Sequence, residues 1–291
     1  MGIFTGQGAQ WAGMGRELLL ASTVFRKSIE RCEHALATLH DGPSWSLQEE
    51  LLADKPSSRL SNPAISQPVT TAIEIAAYDL LCTSGVNVDV VVGHSSGEIV
   101  AAYALSIISA EDAMKIAYYR GLHTKPARSG RMLAVSLSFH DARELCSWPS
   151  FSGRVVVAAS NGPASTTLSG DYDAILEVKA LLDRKKTFAR TLQVDVAYHS
   201  HHMVPCSAAY LESLRACNIQ VKSPRSGCTW ISSVTGRNAI LDGDIQSFSA
   251  TYWVDNMVKP VLFSQALDKS LCGTQDLAVS RRSHRFCGLG S

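Results

Sequence analysis

The sharpest chemical signal in the chain is Gly93-His94-Ser95-Ser96-Gly97, a G-x-S-x-G. It lies between a short β-branched run, Val88–Val92, and an alanine-rich apolar run, Ile99–Leu105. Strand, sharp turn and helix are the setting in which such a pentapeptide holds a nucleophilic serine. The two glycines let backbone approach backbone, so Ser95 is forced to an exposed position above the sheet. The Ser96 amide then points to where an acyl oxyanion would form, and the next helix N-terminus adds a favourable dipole. The competing reading is a glycine-rich structural turn.

A serine hydroxyl needs a base. Of the nine histidines, His34, His40 and His140 fall in surface helices or loops, and His284 falls in an irregular tail. His94 adjoins the serine but should point away into the packing of the turn. Three further candidates sit in Tyr198-His199-Ser200-His201-His202, at a helix start where a loop could overhang Ser95. A plain polar helix start is the alternative. H-x-H-H with no carboxylate or cysteine set beside it is poor zinc spacing, so no metal is expected.

Arg120 follows Ser95 by 25 residues, in Ala117-Tyr118-Tyr119-Arg120-Gly121. It reads either as a surface charge near a helix end or, given its apolar neighbours, as a partly buried guanidinium seeking an anion. Gly6-Gln7-Gly8-Ala9-Gln10 is a glycine-rich loop opening into a helix. It lacks the lysine of a phosphate loop. A better use for it is to bring a second backbone N–H to the Ser95 oxyanion.

The elements that must position these groups read as follows. Gly13–Leu39 has helical apolar spacing, Pro56–Pro68 reads as a loop, and Val69–Cys82 as an apolar helix stopped by Gly85. Ser109-x-x-Asp112 resembles a capping box for a helix to Leu122. From Gly130 the character changes, with strands over Met132–Leu137, Val155–Ala159, Thr166–Ser169 and Phe188–Val194. Helices at Asp141–Cys146 and Tyr172–Leu182 lie among them, which suggests a small α+β insert with an antiparallel sheet. Beyond it, His202–Cys217 is helical, Cys228–Ser233 strand-like, and Phe248–Leu271 helical with a break at Pro260. Residues 279–291 are basic and without period.

The 291 residues suit one large domain, or one carrying an insert, and 46% hydrophobic against 18% charged residues supplies a core. A net charge of +1 gives no footprint for nucleic acid or an anionic membrane. Ile99–Ile108 is about half a membrane span. MGIFTGQGAQ matches neither a signal peptide nor a myristoylation pattern. Eight cysteines, none spaced as C-x-x-C, read as reduced and mostly buried thiols in a cytoplasmic protein.

FTGQGAQWAGMG, GHSSGEIVAAYA, YYRG, AASNGP, VAYHSHHM and WVDNMVKPVLFSQAL occur in that order. Together they resemble the acyltransferase domain of an iterative type I polyketide synthase, closest to the fungal reducing kind. Malonyl-CoA:acyl-carrier-protein transacylases are the wider family. The resemblance covers residues 3–272. It implies an α/β-hydrolase-like core with a largely parallel sheet, 1–129 and 197–278, interrupted by a ferredoxin-like insert, 130–196. It also implies Ser95 as nucleophile, His199 as base, Gln7 and Ser96 as oxyanion-hole amides, and Arg120 as the grip on a malonyl carboxylate. The backbone near Asn256 would orient His199, and Tyr198 would border the acyl pocket. Malonyl-selective relatives tend to carry a bulky aromatic at the position of Tyr198, whose ring leaves no room for a branching methyl.

The implied reaction carries malonyl from coenzyme A to the phosphopantetheine thiol of an acyl carrier protein. It needs no bound cofactor, and the partners are that carrier and neighbouring synthase domains on the ketosynthase side. The family pattern ends in an E-x-G-P-H-type strand and turn, whereas here DLAV runs into SRRSHRFCGLGS, as in a fragment or an altered reading frame. Residues 279–291 are therefore an atypical tail, and an inactive remnant is one competing reading. A serine hydrolase is another, since Asp171, Asp173 and Asp183 lie between Ser95 and His199 in hydrolase chain order. Arg120 separates the two, because a hydrolase of neutral esters has no use for a buried cation.

Overall fold

The computed structural model describes residues 1–124, 130–194, 196–240 and 248–271. Strand β1 (Gly2–Phe4) is followed by α1 (Arg16–Ala21) and α2 (Thr23–Ala37). The long helix expected over Gly13–Leu39 is thus two helices. Ser22 sits between them in extended backbone, and its side chain accepts from the Phe25 N–H as a new N-cap. Helix α3 (Leu47–Leu52), which hydrophobic periodicity left unmarked, starts from Ser46, whose side chain accepts from Glu49 N–H.

Helix α4 (Pro63–Thr83) begins inside the stretch expected to be a loop. Asn62 caps it through the Ala64 N–H, and Pro63 occupies a first-turn position where no N–H is needed. Pro68, read as a loop residue, lies inside the helix. Burial outweighs its missing donor, since Ile65, Val69, Ala72 and Ile75 all face the core. Strand β2 (Val90–Gly93) then leads into α5 (Gly97–Ala104) and α6 (Ala110–His123). Ser109 accepts from the Asp112 N–H as the sequence suggests. The reciprocal half of the box is not made, because the Asp112 carboxylate serves Lys115 and the Gln220 N–H instead.

The next run is β3 (Gly130–Val135), α7 (Phe139–Ser147), β4 (Val155–Gly162), β5 (Ser165–Asp171), α8 (Tyr172–Arg184) and β6 (Ala189–Thr191). A 3-10 turn at His201–Met203 precedes α9 (Val204–Ala216), β7 (Thr229–Trp230), α10 (Ala250–Val258) and α11 (Phe263–Leu271). Pro260 falls between the last two helices, as expected. Cys228–Ser233 keeps only two residues of strand.

Two sheets result, one parallel in the order β1-β2-β7 and one antiparallel in the order β4-β5-β3-β6. The short first strands survive because helices cover them, as parallel pairs require. Val91, Val92, Ile99 and Val100 are fully buried. Burying each such side chain contributes about 1.5–3 kcal/mol. The antiparallel sheet has its own core, with Leu133, Val135 and Leu168 packed under Ile175 and Val178 of α8. A bridge joins the two regions: Ser160 N–H donates to Val261 O and Val261 N–H to Ala158 O, both at 2.8 Å.

No helix among the described residues is long and apolar enough to cross a membrane. None of the described cysteines is in a disulfide, yet only Cys32 and Cys206 are buried, and Cys82 is exposed. Cys82 lies near the solvent end of α4, where the apolar stripe runs out. Cys272, Cys287 and the tail lie outside the described residues.

Candidate active site

The turn after β2 carries Ser95 in the left-handed region, at φ 54°. Glycine is required on either side of it. A Cβ on Gly93 would meet the backbone of Gly97 and Glu98, and one on Gly97 the carbonyls of Phe4 and Thr5. The Ser95 carbonyl accepts from Glu98 N–H at 3.1 Å and from the Asn256 side-chain amide at 2.9 Å. His94 points away as its position in the motif suggests. Its Nε2 meets Asn161 Oδ1 at 2.8 Å and its ring packs edge-on against Phe263.

Ser95 Oγ lies 2.7 Å from His199 Nε2 and 3.2 Å from an Arg120 guanidinium nitrogen. His199, also left-handed at φ 56°, sits at the tip of the loop before the 3-10 turn. Its Nδ1 faces the Lys259 carbonyl at 2.9 Å, so Nδ1 carries the hydrogen and Nε2 is free to accept from Ser95. Burial, then the charge of Arg120, pushes the imidazole pKa down to about 3, against the opposing pull of the Lys259 carbonyl. The ring is neutral at physiological pH.

The backbone near Asn256 is where the support for His199 is expected, and the Asn256 side chain itself holds the Ser95 carbonyl. The contact to His199 comes from the same segment three residues on, at the carbonyl of Lys259. Helix α10 ends at Val258, and the carbonyls past its last turn have no helical partner, so one of them can accept from a side chain. None of the three aspartates in hydrolase order reaches His199. Asp173 pairs with Arg154, Asp183 with Lys179, and Asp171 with His201 and His202.

Arg120 reaches the site from α6 and is 1% exposed. One terminal nitrogen donates to Gln67 Oε1 at 2.8 Å, the other to Ser95 Oγ. No carboxylate among the described residues pairs with it. Burial lowers its pKa from the usual value, opposed by the nearby Tyr210 and Tyr198 hydroxyls. The Tyr198 hydroxyl lies among Arg120, Gln67, Gln7 and Thr124.

Arg120 Nε is buried without a hydrogen-bond partner, and Gln67 Nε2, Gln7 Oε1 and Tyr198 Oη are buried close to one another without a well-formed hydrogen bond. Four such groups around one serine are a departure from the rule that interiors pair their polar atoms. The Arg120, Gln67 and Tyr198 donors suit a polar, anionic guest, whereas Gln7 Oε1 can only accept. Gln7 itself lies against the turn, with its backbone N–H donating to Ser96 Oγ at 3.2 Å. The bonds of the turn begin at the amide after Ser96, from Gly97 N–H to His94 O.

Sequence reasoning missed Gln67, Lys259 and Glu98. Gln67 lies in Ile65-Ser66-Gln67-Pro68, where the prolines signal a loop and mask an inward-facing helix position. Lys259 acts through its backbone, so its residue type carries no signal. Glu98, fully buried one turn past Ser95, accepts from Ser233 N–H at 2.8 Å and pairs with the Tyr252 hydroxyl. Burial raises its pKa to about 7 despite those bonds.

The acyl transferase domain family matches residues 2–284. A hybrid PKS-NRPS synthetase of Emericella nidulans is 54% identical over 291 residues, covering 98% of this chain and 7% of that protein. Another, of Aspergillus flavus, is 57% identical over 277 residues, covering 93% of this chain and 7% of that protein. A highly reducing polyketide synthase of Alternaria alternata is 55% identical over 276 residues, covering 93% and 11%. The chain thus spans only a small part of each relative. A loading acyltransferase from the avermectin modular polyketide synthase superposes with a TM-score of 0.82 at 34% identity, covering 93% of this chain and 83% of that one. The acyltransferase domain from module 8 of the salinomycin polyketide synthase gives 0.84 at 32%, covering 93% and 61%.

Proposed function

Because the chain belongs to the acyl transferase domain family, we propose that it transfers malonyl from coenzyme A, through an ester on Ser95, to the phosphopantetheine thiol of an acyl carrier protein. The observation that carries this reading is Arg120, a buried cation with no carboxylate partner among the described residues, 3.2 Å from the serine hydroxyl. An uncompensated buried charge is expensive unless a ligand neutralises it. A malonyl group brings a carboxylate at about the right reach, and a guanidinium can bind it through two parallel hydrogen bonds.

In the first half-reaction Ser95 Oγ attacks the thioester carbon while its proton passes to His199 Nε2. The tetrahedral oxyanion accepts from the Ser96 and Gln7 amides. For this the Gln7 N–H turns from Ser96 Oγ towards the new charge. Collapse breaks the carbon–sulfur bond, and His199 returns its proton to the departing thiolate. In the second half the carrier thiol gives its proton to His199 and attacks the ester, and Ser95 leaves with that proton. Ester and thioester exchange needs neither metal nor bound cofactor. The Lys259 carbonyl holds the tautomer throughout.

Tyr198 borders the acyl group in this scheme and favours malonyl over methylmalonyl. One misfitted methyl in such a pocket is worth about 1–3 kcal/mol. Residues 1–129 and 197–278 form the α/β-hydrolase-like core, and 130–196 a ferredoxin-like insert. The order β3-α7-β4-β5-α8-β6 supports the second assignment. Ketosynthase-side domains of a longer synthase are the further partners, nucleic acid and membranes are not, and the setting is cytoplasmic.

Intact mass after exposure to malonyl-CoA tests the scheme. A single malonyl adduct on the wild-type chain, absent from Ser95→Ala, is expected. An adduct of equal stoichiometry on Ser95→Ala would overturn the nucleophile.

A further inference from the structure

Outside the Ser95 site, a partly buried group of side chains converges on a point. Asp171 closes β5 and precedes α8, and His201 and His202 form the 3-10 turn after His199. Asp171 Oδ1 meets His202 Nε2 at 2.7 Å and His201 Nε2 at 3.0 Å. Both imidazoles thus address the same carboxylate oxygen rather than one each. Their rings are 4.5 Å apart and tilted by 59°, and the three ligand-type atoms lie within 4.8 Å of one another. His201 Nδ1 is buried without a partner.

The backbone makes room for this arrangement. Gly130 pairs with Asp171 across the β3–β5 ladder, and a Cβ there would lie 3.1 Å from His202 Nδ1. His202 is buried, whereas the side chains of His201 and Asp171 are 36% and 26% exposed, so solvent reaches one side of the cluster. Spacing along the chain argues against a metal because the carboxylate lies 30 residues upstream. The β3–β5 pairing is what delivers it.

We propose that Asp171, His201 and His202 form a zinc site with two imidazole nitrogens, one carboxylate oxygen and an open fourth position for water. That donor set is borderline rather than hard, and it ranks Zn²⁺ above Mg²⁺ or Ca²⁺. Tetrahedral coordination with bonds of about 2.0–2.1 Å needs neighbouring ligand atoms about 3.3 Å apart. The gaps of 2.7 and 3.0 Å therefore open by only a few tenths of an ångström as the metal replaces the two bridging hydrogens. The ion would staple the end of β5 to the loop that carries His199.

Titration of the metal-free full chain with Zn²⁺, followed by calorimetry and by the visible spectrum with Co²⁺, tests the site. One ion per chain is expected, with Co²⁺ bands of a nitrogen–oxygen site and no thiolate charge-transfer band. Asp171→Asn and His201→Ala should each weaken binding on the order of a hundredfold. His201 is partly exposed, so its variant guards against a folding defect at Asp171. The exposed group His140, Asp141 and Glu144 supplies the control, and His140→Ala should leave the affinity unchanged. No stoichiometric binding, a thiolate band, or affinity indifferent to both site variants would overturn the proposal.

Discussion

The two sheets treat their polar groups in different ways. In the antiparallel sheet the charged residues stay at the surface and find partners there. Arg154 bridges Asp173 and Glu177, and Lys179 meets Asp183 one helical turn away. Beneath them Leu133, Val135, Leu168, Ile175 and Val178 form an unbroken apolar core. Around the parallel sheet, surface pairs such as Arg31 with Asp79 occur too, but polar groups are also buried. A guanidinium, two side-chain amides and a phenol are buried beside Ser95 with atoms that lack a well-formed hydrogen bond. Two of the non-glycine residues at positive φ, Ser95 and His199, face each other there. The first region is organised for stability. The second keeps unpaired polarity and unusual backbone where a reacting group would meet them.

Substitutions should divide along the same line. The largest effect is expected at His199. His199→Ala should slow acylation of Ser95 by a factor on the order of a hundred or more, measured by stopped-time intact mass. A larger loss from His201→Ala, with His199→Ala near wild type, would move the base to His201. Arg120→Ala should come next, reducing malonyl-CoA turnover by about tenfold to a hundredfold while sparing acetyl-CoA. That range corresponds to about 1.5–3 kcal/mol for a charged bidentate contact. Equal losses on both substrates would make Arg120 structural.

Tyr198→Ser should erode the preference for malonyl over methylmalonyl by roughly 10–200-fold, read in a competition for loading. A wild-type chain that loads both equally would sink the steric argument. The smallest effect on chemistry is expected in the other region. Ile175→Ala, beneath α8, should lower stability by about 2–5 kcal/mol in a denaturant melt. Acyl selectivity below the transition should not change. A shift in selectivity would mean that the antiparallel sheet shapes the pocket directly.

Acid sharpens the contrast in another way. His199 is held near pKa 3 in the folded chain, against an ordinary value of 6.5. Between those values the unfolded chain takes up a proton that the folded one refuses, so falling pH disfavours folding across that window. The neutral base itself should persist down to about pH 3. The expected profile of Ser95 acylation is therefore flat through pH 6.5, with no histidine inflection there. An inflection near 6.5 would show that His199 is solvated in the working state.

Some of this was legible from residue order alone. Glycine on both sides of Ser95, a β-branched run before it and an apolar helix after it are local requirements of one turn, and each is met within a few residues. Ser109 as a helix cap and Pro260 as a helix break are local in the same sense. The strands of the antiparallel sheet were readable as short β-branched and apolar runs rather than by strict alternation, since β5 buries five residues in succession. Helix boundaries were harder: Pro68 lies inside α4, against its propensity, because packing of the surrounding apolar face decided the matter.

Only the tertiary structure assigned partners. The hydrogen bond that orients His199 ends on a backbone carbonyl, which every residue type possesses, so no side chain at position 259 could announce it. The amide of Asn256 supports Ser95 rather than His199 because α10 aims that face at the turn, and helix placement follows from packing. Asp171 stands in hydrolase order, yet the pairing of β3 with β5 carries it to His201 and His202. Local sterics determine the turn that raises a serine. Which buried groups meet it depends on contacts between segments far apart in the chain, and those are set by how the helices and sheets pack.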